Sequence, residues 1–590
     1  MVLGISGTGT LKLGVKSGSN IADLAAPTPN LVTSPAADDT MIAVNTGTNP
    51  GTGDRWWDLA ITGITDGASQ GGTGTWNSTT TNWDRGFGFA APVQWNNSNN
   101  DNAIFGGTAG TVTLGENINL QNLTFGAVNG YFIGDTAEDN TLTFSGTKTI
   151  TVNGSGSAGD ATIRAGITGS PTLNITGRAD NNATHFSLLP TANVTMALGT
   201  VNMLNTNGSN KRLVLGGASL GNVANRVTWP NTGNQLFLVK NGTGTWTVES
   251  DLVLDDGKIF VEDGTLILGG ANNTNSHSIN IGRTSLNVST NKGKFMSAGT
   301  FTILDAREDF IVYNGATLAP GINGVGTITV GWNSTQAGPG EVQLQTGSIY
   351  EWQVGAAATD TVHVKKRTGT LVANLLVQNI TLKILDAGGT PANGTVQLPV
   401  FTYDTGTPAV TRSIGTVSFN TTDLVGKGWT VGTLALTDNG TGTIYLTGLS
   451  KPAAGYALWA ATNAPSGTAG ADYDGDGVNN GVEYVLGGTK DTNDLAKLPI
   501  TSTTPGGDVL FTFVRDQASI DGTTTVAIEV GTTLAAWPDS YSVPGTAVAN
   551  NPGVTVVKDS PVAGKDTVTL TIPRAPDAKK FARLKVVVAP

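Results

Sequence analysis

Apolar and polar residues alternate along this chain in short bursts of four or five residues, and glycine, asparagine or aspartate closes most of them. The recurring phrase is Gly-Thr followed by apolar residues at every second position: "GTLKLG" (9–14), "GTVTLG" (110–115), "GTLILGG" (264–270), "GTITVG" (326–331) and "GTIYLTG" (442–448). A period of two puts one face of a short strand into a core, and the residues that bound it accept the backbone angles of a turn. The intervals between bursts are irregular, so no tight sequence repeat is present. Short strands that recur without helical patterning between them predict a parallel β-solenoid (β-helix), each coil burying its inward Leu, Val and Ile by stacking on the next. An array of antiparallel sandwiches is the alternative, and "NG" turns in "VNGYF", "KNGTGTW" and "DNGTGTI" speak for it.

Helical patterning is confined to "GYALWAATNA" (455–464) and "NNGVEYVLGG" (479–488), the second stopped by Gly487 and Gly488. Residues 497–590 alternate again, in "DVLFTFVRD", "VTVVKD" and "DTVTLTIP", and predict a small antiparallel β-sandwich. At the other end, "GTLKLGVKSG" reads as a strand on a Pro/Ala-rich tether, "ADLAAPTPNLVTSPAADDT". The expected organisation is therefore all-β. It comprises 1–71, strand and tether; 72–450, solenoid with a Trp-rich cap; 451–496, a joint with short helices; and 497–590, the sandwich. A lone strand is not stable in water. The first one is expected to fold back onto the body or to add to an edge of another subunit, which predicts a homo-oligomer in the form of a fibre or layer.

Composition narrows the function. The chain has 80 Gly in 590 residues and 13% charged residues, against about 25% in an average protein. Its net charge of −11 argues against nucleic acid, whose phosphates require clustered Lys and Arg. The absence of cysteine excludes disulfides and thiol chemistry, and leans towards an exported bacterial protein. No apolar run reaches the ~20 residues of a membrane-spanning helix. "MVLGISGTGTLKLG" has neither a basic segment nor a proper apolar one, so no signal peptide is expected there. Tryptophan is scarce, 12 in all, yet "TWNSTTTNWD" (75–84) holds two and Trp95 follows. Trp76, Trp83 and Trp95 are expected to cap the first coil; a flat platform for sugar is the competing use.

The sharpest chemistry lies in "ADYDGDGVNNGVEYVLGGT" (471–489). Asp472, Asp474, Asp476, Gly477 and Glu483 match D-x-[DN]-x-[DN]-G-x5-E position for position. Calcium takes six to eight hard oxygens, and a short loop supplies them from alternate residues. Asp472, Asp474 and Asp476 would give carboxylates, Val478 its carbonyl, Asn480 a direct or water-mediated contact, and Glu483 both its oxygens. With one loop, the calcium is expected to be a structural clamp. An acidic solvated turn is the plainer alternative.

Catalysis would need carboxylates, alone or with Arg or Lys, gathered on one face of adjacent coils. "LDDGKIFVEDG" (Asp255, Asp256, Glu262, Asp263) and "LDAREDF" (Asp305, Arg307, Glu308, Asp309) are the candidates, but both read as turns at strand ends, where Asp serves the backbone. His185, His277 and His363 share no metal-ligand spacing.

A family resemblance adds to this. "FLVKNGTGTWTVESDLVLDDGKIFVEDGTLILGG" (237–270) resembles the autotransporter-associated β-strand repeat, in which a Lys-x-Gly-x-Gly-x-aromatic strand leads to a Gly-Thr-Leu-x-Leu strand. "VYNGATLAPGINGVGTITVG" (312–331) and "GSIYEWQVGAAATDTVHV" (347–364) are similar to the segments that follow it, and "VQWNNSNNDNAIFGG" resembles the Trp-rich start of such proteins. The calcium loop resembles that of large bacterial surface proteins, and also dockerin and thrombospondin type 3 loops; a dockerin would carry two. The resemblance implies an extracellular or cell-surface passenger-type solenoid of non-enzymatic, structural or adhesive function. A carbohydrate-binding protein using exposed Trp or Tyr on the solenoid, with glycans or cell surfaces as partners, is the second reading, and a polysaccharide lyase or hydrolase the third.

Overall fold

The computed structural model describes residues 53–588 apart from 60–65, 87–91, 154–159, 177–185, 205–210, 230–235, 389–396, 452–454 and a few shorter stretches, together with two strands before them. The chain divides into two compact units, one of residues up to 448 and a smaller one made chiefly of 449–590.

The larger unit is a parallel β-solenoid. Three strands make up a central coil, and each pairs in parallel with its counterpart in the next. Leu236–Lys240, Thr245–Val248 and Val253–Leu254 lie against Gly257–Val261, Thr265–Leu268 and Asn272–Asn275. One face is a sheet of thirteen strands, from Gly74–Trp76 to Thr411–Ile414. In its register, Ile133, Ile163, Leu188, Leu215, Lys240, Val261, Ile281, Val312, Leu344 and Val377 stack in a single column. The aliphatic members are buried. Burial of this kind contributes about 25 cal/mol per Å² of apolar surface, and only stacking provides it. Coils run from 20 residues (Val261 to Ile281) to 37 (Val377 to Ile414), so they differ widely in the chain spent on corners.

Lys240 interrupts the column. Its ammonium donates to the carbonyls of Asn241 (2.7 Å), Gly242 (2.7 Å) and Asp263 (3.0 Å), and burial lowers its pKa to about 8. Trp246 is buried inside the same coil and donates from Nε1 to the Gly216 carbonyl at 2.7 Å. It lies directly over Gly221, where a Cβ would meet the indole at 2.2 Å. The spacing Lys-x-Gly-x-Gly-x-Trp thus ties one corner to the next through two donors aimed at backbone carbonyls.

Aromatic rings close the first coil, and the fold starts before residue 72. Asp54–Trp57 runs antiparallel to Trp83–Asp84 and parallel to Asn102–Phe105. Trp57, Trp76, Trp83 and Trp95 are at most 2% exposed, with Trp83 centred 5.2 Å from Trp57, 4.9 Å from Trp76 and 4.8 Å from Trp95. Packed on one another, these rings are a lid and have no face left for sugar. The first strand, Thr8–Leu11, pairs antiparallel with Ile42–Asn45 in a two-stranded sheet of its own, so its partner lies at the far end of the tether; the tether itself falls outside the described residues.

The smaller unit holds helices α1 (Gly455–Asn463) and α2 (Asn480–Leu486) and two antiparallel sheets. Ile500–Thr503, Val509–Asp516, Lys565–Ile572 and Val554–Val557 form the first sheet; Asp539–Ser542, Thr524–Gly531 and Phe581–Val588 form the second. Val485 and Leu486 of α2 enter the same core as Phe511, Phe513, Ile528 and Leu570. Within 451–496, α2 is thus packed into the sandwich core.

Candidate metal centre

Residues 472–478 wind around their own carboxylates. Asp472 accepts from Gly475 N (2.8 Å) and Gly477 N (2.9 Å), Asp474 from Asp476 N (3.2 Å), and Asp476 from Val478 N (2.8 Å). Gly477 sits at φ +95°, which L side chains rarely adopt, and this is the sharp turn the motif reserves for glycine. Asp472, Asp474 and Asp476 bring one carboxylate oxygen each within 4.8 Å of one another. Asp476 also belongs to a second such group, with Glu483 of α2 and Asp494. That limit is about the distance between two oxygens on opposite sides of a calcium ion, each 2.3–2.6 Å from it.

Four of the six predicted ligand residues therefore fall into two groups, Asp472, Asp474 and Asp476 in one and Asp476 with Glu483 in the other, which share Asp476. Val478, which could serve only through its carbonyl, follows the glycine turn with its side chain buried. Asn480 turns away. It is fully buried, its Oδ1 accepts from Tyr473 N (2.9 Å) and its Nδ2 donates to the Thr468 carbonyl (2.8 Å), so it braces the loop from behind. Asp494 lies beyond the motif, and the spacing gave no sign of it.

Charge is concentrated here. Glu483 and Asp494 are each 1% exposed. Burial, followed by the charges of Asp474, Asp476 and Asp494, pushes the Glu483 carboxyl up to about 7. Its Oε1 is buried without any hydrogen-bond partner. Lys497 offsets part of the charge, reaching Asp494 Oδ1 at 2.7 Å. Buried carboxylates left unpaired are costly, and a hard divalent cation is what these oxygens fit.

A second acidic group, Asp58, Asp66 and Asp84, lies at the capped end of the solenoid. There Asp84 accepts from the backbone N–H groups of Asp66, Gly67 and Gly86, the ordinary work of an aspartate in a turn.

The solenoid carboxylates meet across coils. His277 lies between Asp256 Oδ1 (2.6 Å from Nε2) and Glu308 Oε1 (3.0 Å from Nδ1). Glu308 also accepts from Ser278 and lies 3.4 Å from Lys258. Burial opposes the charge on His277, but its two carboxylate partners outweigh it and raise its pKa. Against the same burial, His277, Ser278 and Lys258 hold Glu308 down at about 2. Burial first, and then Glu341, push Asp309 up to about 7. Glu262 faces Arg212 at 3.5 Å and Asp263 faces Lys292 at 3.4 Å. Arg307 lies outside the described residues. Asp256, Glu262, Asp263 and Glu308 are thus matched to neighbouring side chains on the solenoid wall, whereas Asp309 accepts from the backbone N–H of Glu341 at 3.0 Å. Trp229, Trp246, Trp332 and Trp352 are buried in it, away from any glycan.

No protein-family model matches this chain. Over 302 residues it is 29% identical to a protein described as "Adhesin BmaC autotransporter" from Brucella suis biovar 1 (strain 1330). The match takes in 50% of this chain and 7% of that protein, so this chain corresponds to a small part of that relative's length. Among the described residues, no helix is long and apolar enough to cross a membrane.

Proposed function

We propose that this chain is a non-enzymatic, adhesive segment of a bacterial cell-surface protein, a passenger-type β-solenoid whose C-terminal module is clamped by calcium. The observation that carries the adhesive reading is the similarity of half the chain to an autotransporter adhesin, joined to a parallel solenoid fold. Cross-coil pairing of the carboxylates favours a scaffold over a polysaccharide-cleaving enzyme. The unpartnered Glu483 oxygen among Asp476 and Asp494 carries the calcium reading. Partners on this reading are cell surfaces or their glycans, together with further copies of the chain in a fibre or layer.

Binding of the labelled chain to cultured cells and to an immobilised glycan panel tests the adhesive role, alongside an assay for reducing ends released from acidic polysaccharides. Saturable binding without release is expected; release without binding would favour the enzyme. For the clamp, chelation should raise proteolysis within 455–496 and leave the solenoid strands intact. Calorimetry showing no calcium heat, with equal cleavage in both conditions, would remove the metal from the account.

A further inference from the structure

We propose that Asp494, eleven residues beyond the end of the calcium loop, is a ligand of its ion and takes the place that the loop spacing assigns to Asn480. This inference rests on the calcium reading above. The ninth position of such a loop supplies an oxygen directly or through water. Asn480 is instead committed to the loop's own backbone, its fully buried side chain accepting from Tyr473 N and donating to the Thr468 carbonyl.

Asp494 is built into the second acidic group. Its carboxylate lies within 4.8 Å of oxygens from both Asp476 and Glu483, and its own N–H donates to Asp476 Oδ2. Thr489 N (2.9 Å) fixes one oxygen, and Lys497 Nζ (2.7 Å) with Thr492 Oγ1 (3.2 Å) fixes the other. A carboxylate has about four lone-pair sites, so capacity for a metal remains. Partners of this kind orient a ligand before the metal arrives.

The sequence makes room for this approach. A Cβ on Gly488 would meet Asp494 Oδ2 at 2.1 Å and Glu483 Cβ at 2.8 Å. Glu483 Oε1 is buried without a hydrogen-bond partner, and carboxylate oxygens of Asp476 and Asp494 lie within 4.8 Å of the Glu483 carboxylate. A hard divalent cation shared by Asp476, Glu483 and Asp494 resolves that arrangement. The ion then joins α2 to the turn Asp494–Lys497, which leads into the first sandwich strand, so that calcium fastens the loop to the β-sandwich and does more than order the loop itself.

Calcium titration of the full chain by calorimetry, with terbium luminescence lifetimes in H₂O and D₂O, tests the assignment. Asp494→Asn keeps the shape and is expected to weaken calcium by about tenfold or more, and to add about one water to the bound terbium. Wild-type affinity with unchanged hydration in that variant, while Asp472→Asn loses binding, would overturn the role of Asp494 and leave the loop as a calcium site. A wild-type chain that binds neither ion fails at the earlier step, the calcium reading itself. Should Asp494→Asn not fold, Lys497→Met carries the test. Removing the ammonium that competes for Asp494 is expected to tighten calcium, and unchanged or weaker affinity counts against the proposal.

Discussion

Truncating Trp83 tests whether the aromatic lid holds the end of the solenoid. The ring is fully buried and touches Trp57, Trp76, Trp95 and Phe105, with centroids 4.8 to 5.7 Å away. Replacing a buried Trp by Ala costs about 3–5 kcal/mol, from lost transfer energy and the cavity left behind. Trp83 Nε1 has no hydrogen-bond partner, so no bond is lost with it. Trp83→Phe, which keeps part of the ring and drops the unsatisfied donor, leaves a smaller cavity and should cost less than the alanine change. At about 1.4 kcal/mol per tenfold, Trp83→Ala should raise the opening of the first coils by roughly 10² to 4 × 10³. Because each coil contacts only its neighbours, that opening should decay from coil to coil. Hydrogen exchange reads this directly. Protection should collapse in Asn102–Phe105 and Thr111–Leu114 and persist in Ile349–Val354. Unchanged protection in the first coils would show that the aromatic cluster is not the lid. A uniform loss over all coils would show that the solenoid opens as one block, and the end-capping argument would fail.

Three further outcomes follow from the same geometry. Gly221→Ala should destabilise the solenoid by about 1–3 kcal/mol or more, since the methyl overlaps the Trp246 ring, read as a lower urea midpoint at constant slope. Asp309 has its pKa raised to about 7 from 3.8, so the folded state holds its proton where the unfolded state has released it. Stability from this group therefore falls as pH rises from about 4 to 7, and Asp309→Asn should flatten the urea midpoint over that window. His277 has a raised pKa, so its contribution is complete below its unfolded value near 6.5 and fades as pH climbs through the folded one; His277→Gln should remove that part of the profile.

The solenoid was legible because its energetics are those of the sequence pattern. A strand with period two and glycine at each end has one apolar face to bury, and a chain of such strands can satisfy all of them by stacking. What escaped was polar. Asn272–Asn275 carries no apolar residue, yet it is a strand with Asn273 and Asn275 pointing inward. Asn273 accepts from Leu252 N (2.9 Å) and donates to the Gly270 carbonyl (2.9 Å), so it closes a corner from inside. Period-two reading treats such a run as a loop, because it scores hydrophobicity and cannot see backbone groups waiting at a corner. Lys240 is the same case. The repeat spacing marks the lysine, but only the fold reveals three carbonyls converging where an aliphatic side chain would otherwise stand.

Site legibility divides along the same line. The acidic loop could be read because its winding is local, with Asp472, Asp474 and Asp476 at spacings that belong to one turn of chain. Asp494 could not, since its approach depends on Gly488 and on the return of the chain after α2. The solenoid clusters are further out of reach. Asp256 meets His277 over 21 residues and Glu308 meets it over 31, and both intervals are set by how much chain each coil spends on its corners. Coil length in this protein ranges from 20 to 37 residues. A side-chain cluster on a solenoid face therefore has no fixed spacing to search for, even when each member is conspicuous alone. The converse is useful. On such a fold, charged residues at turn-like strand ends acquire meaning only as a column across coils, and a column that satisfies itself, as Asp256, His277 and Glu308 do, is an argument for wall rather than for active site.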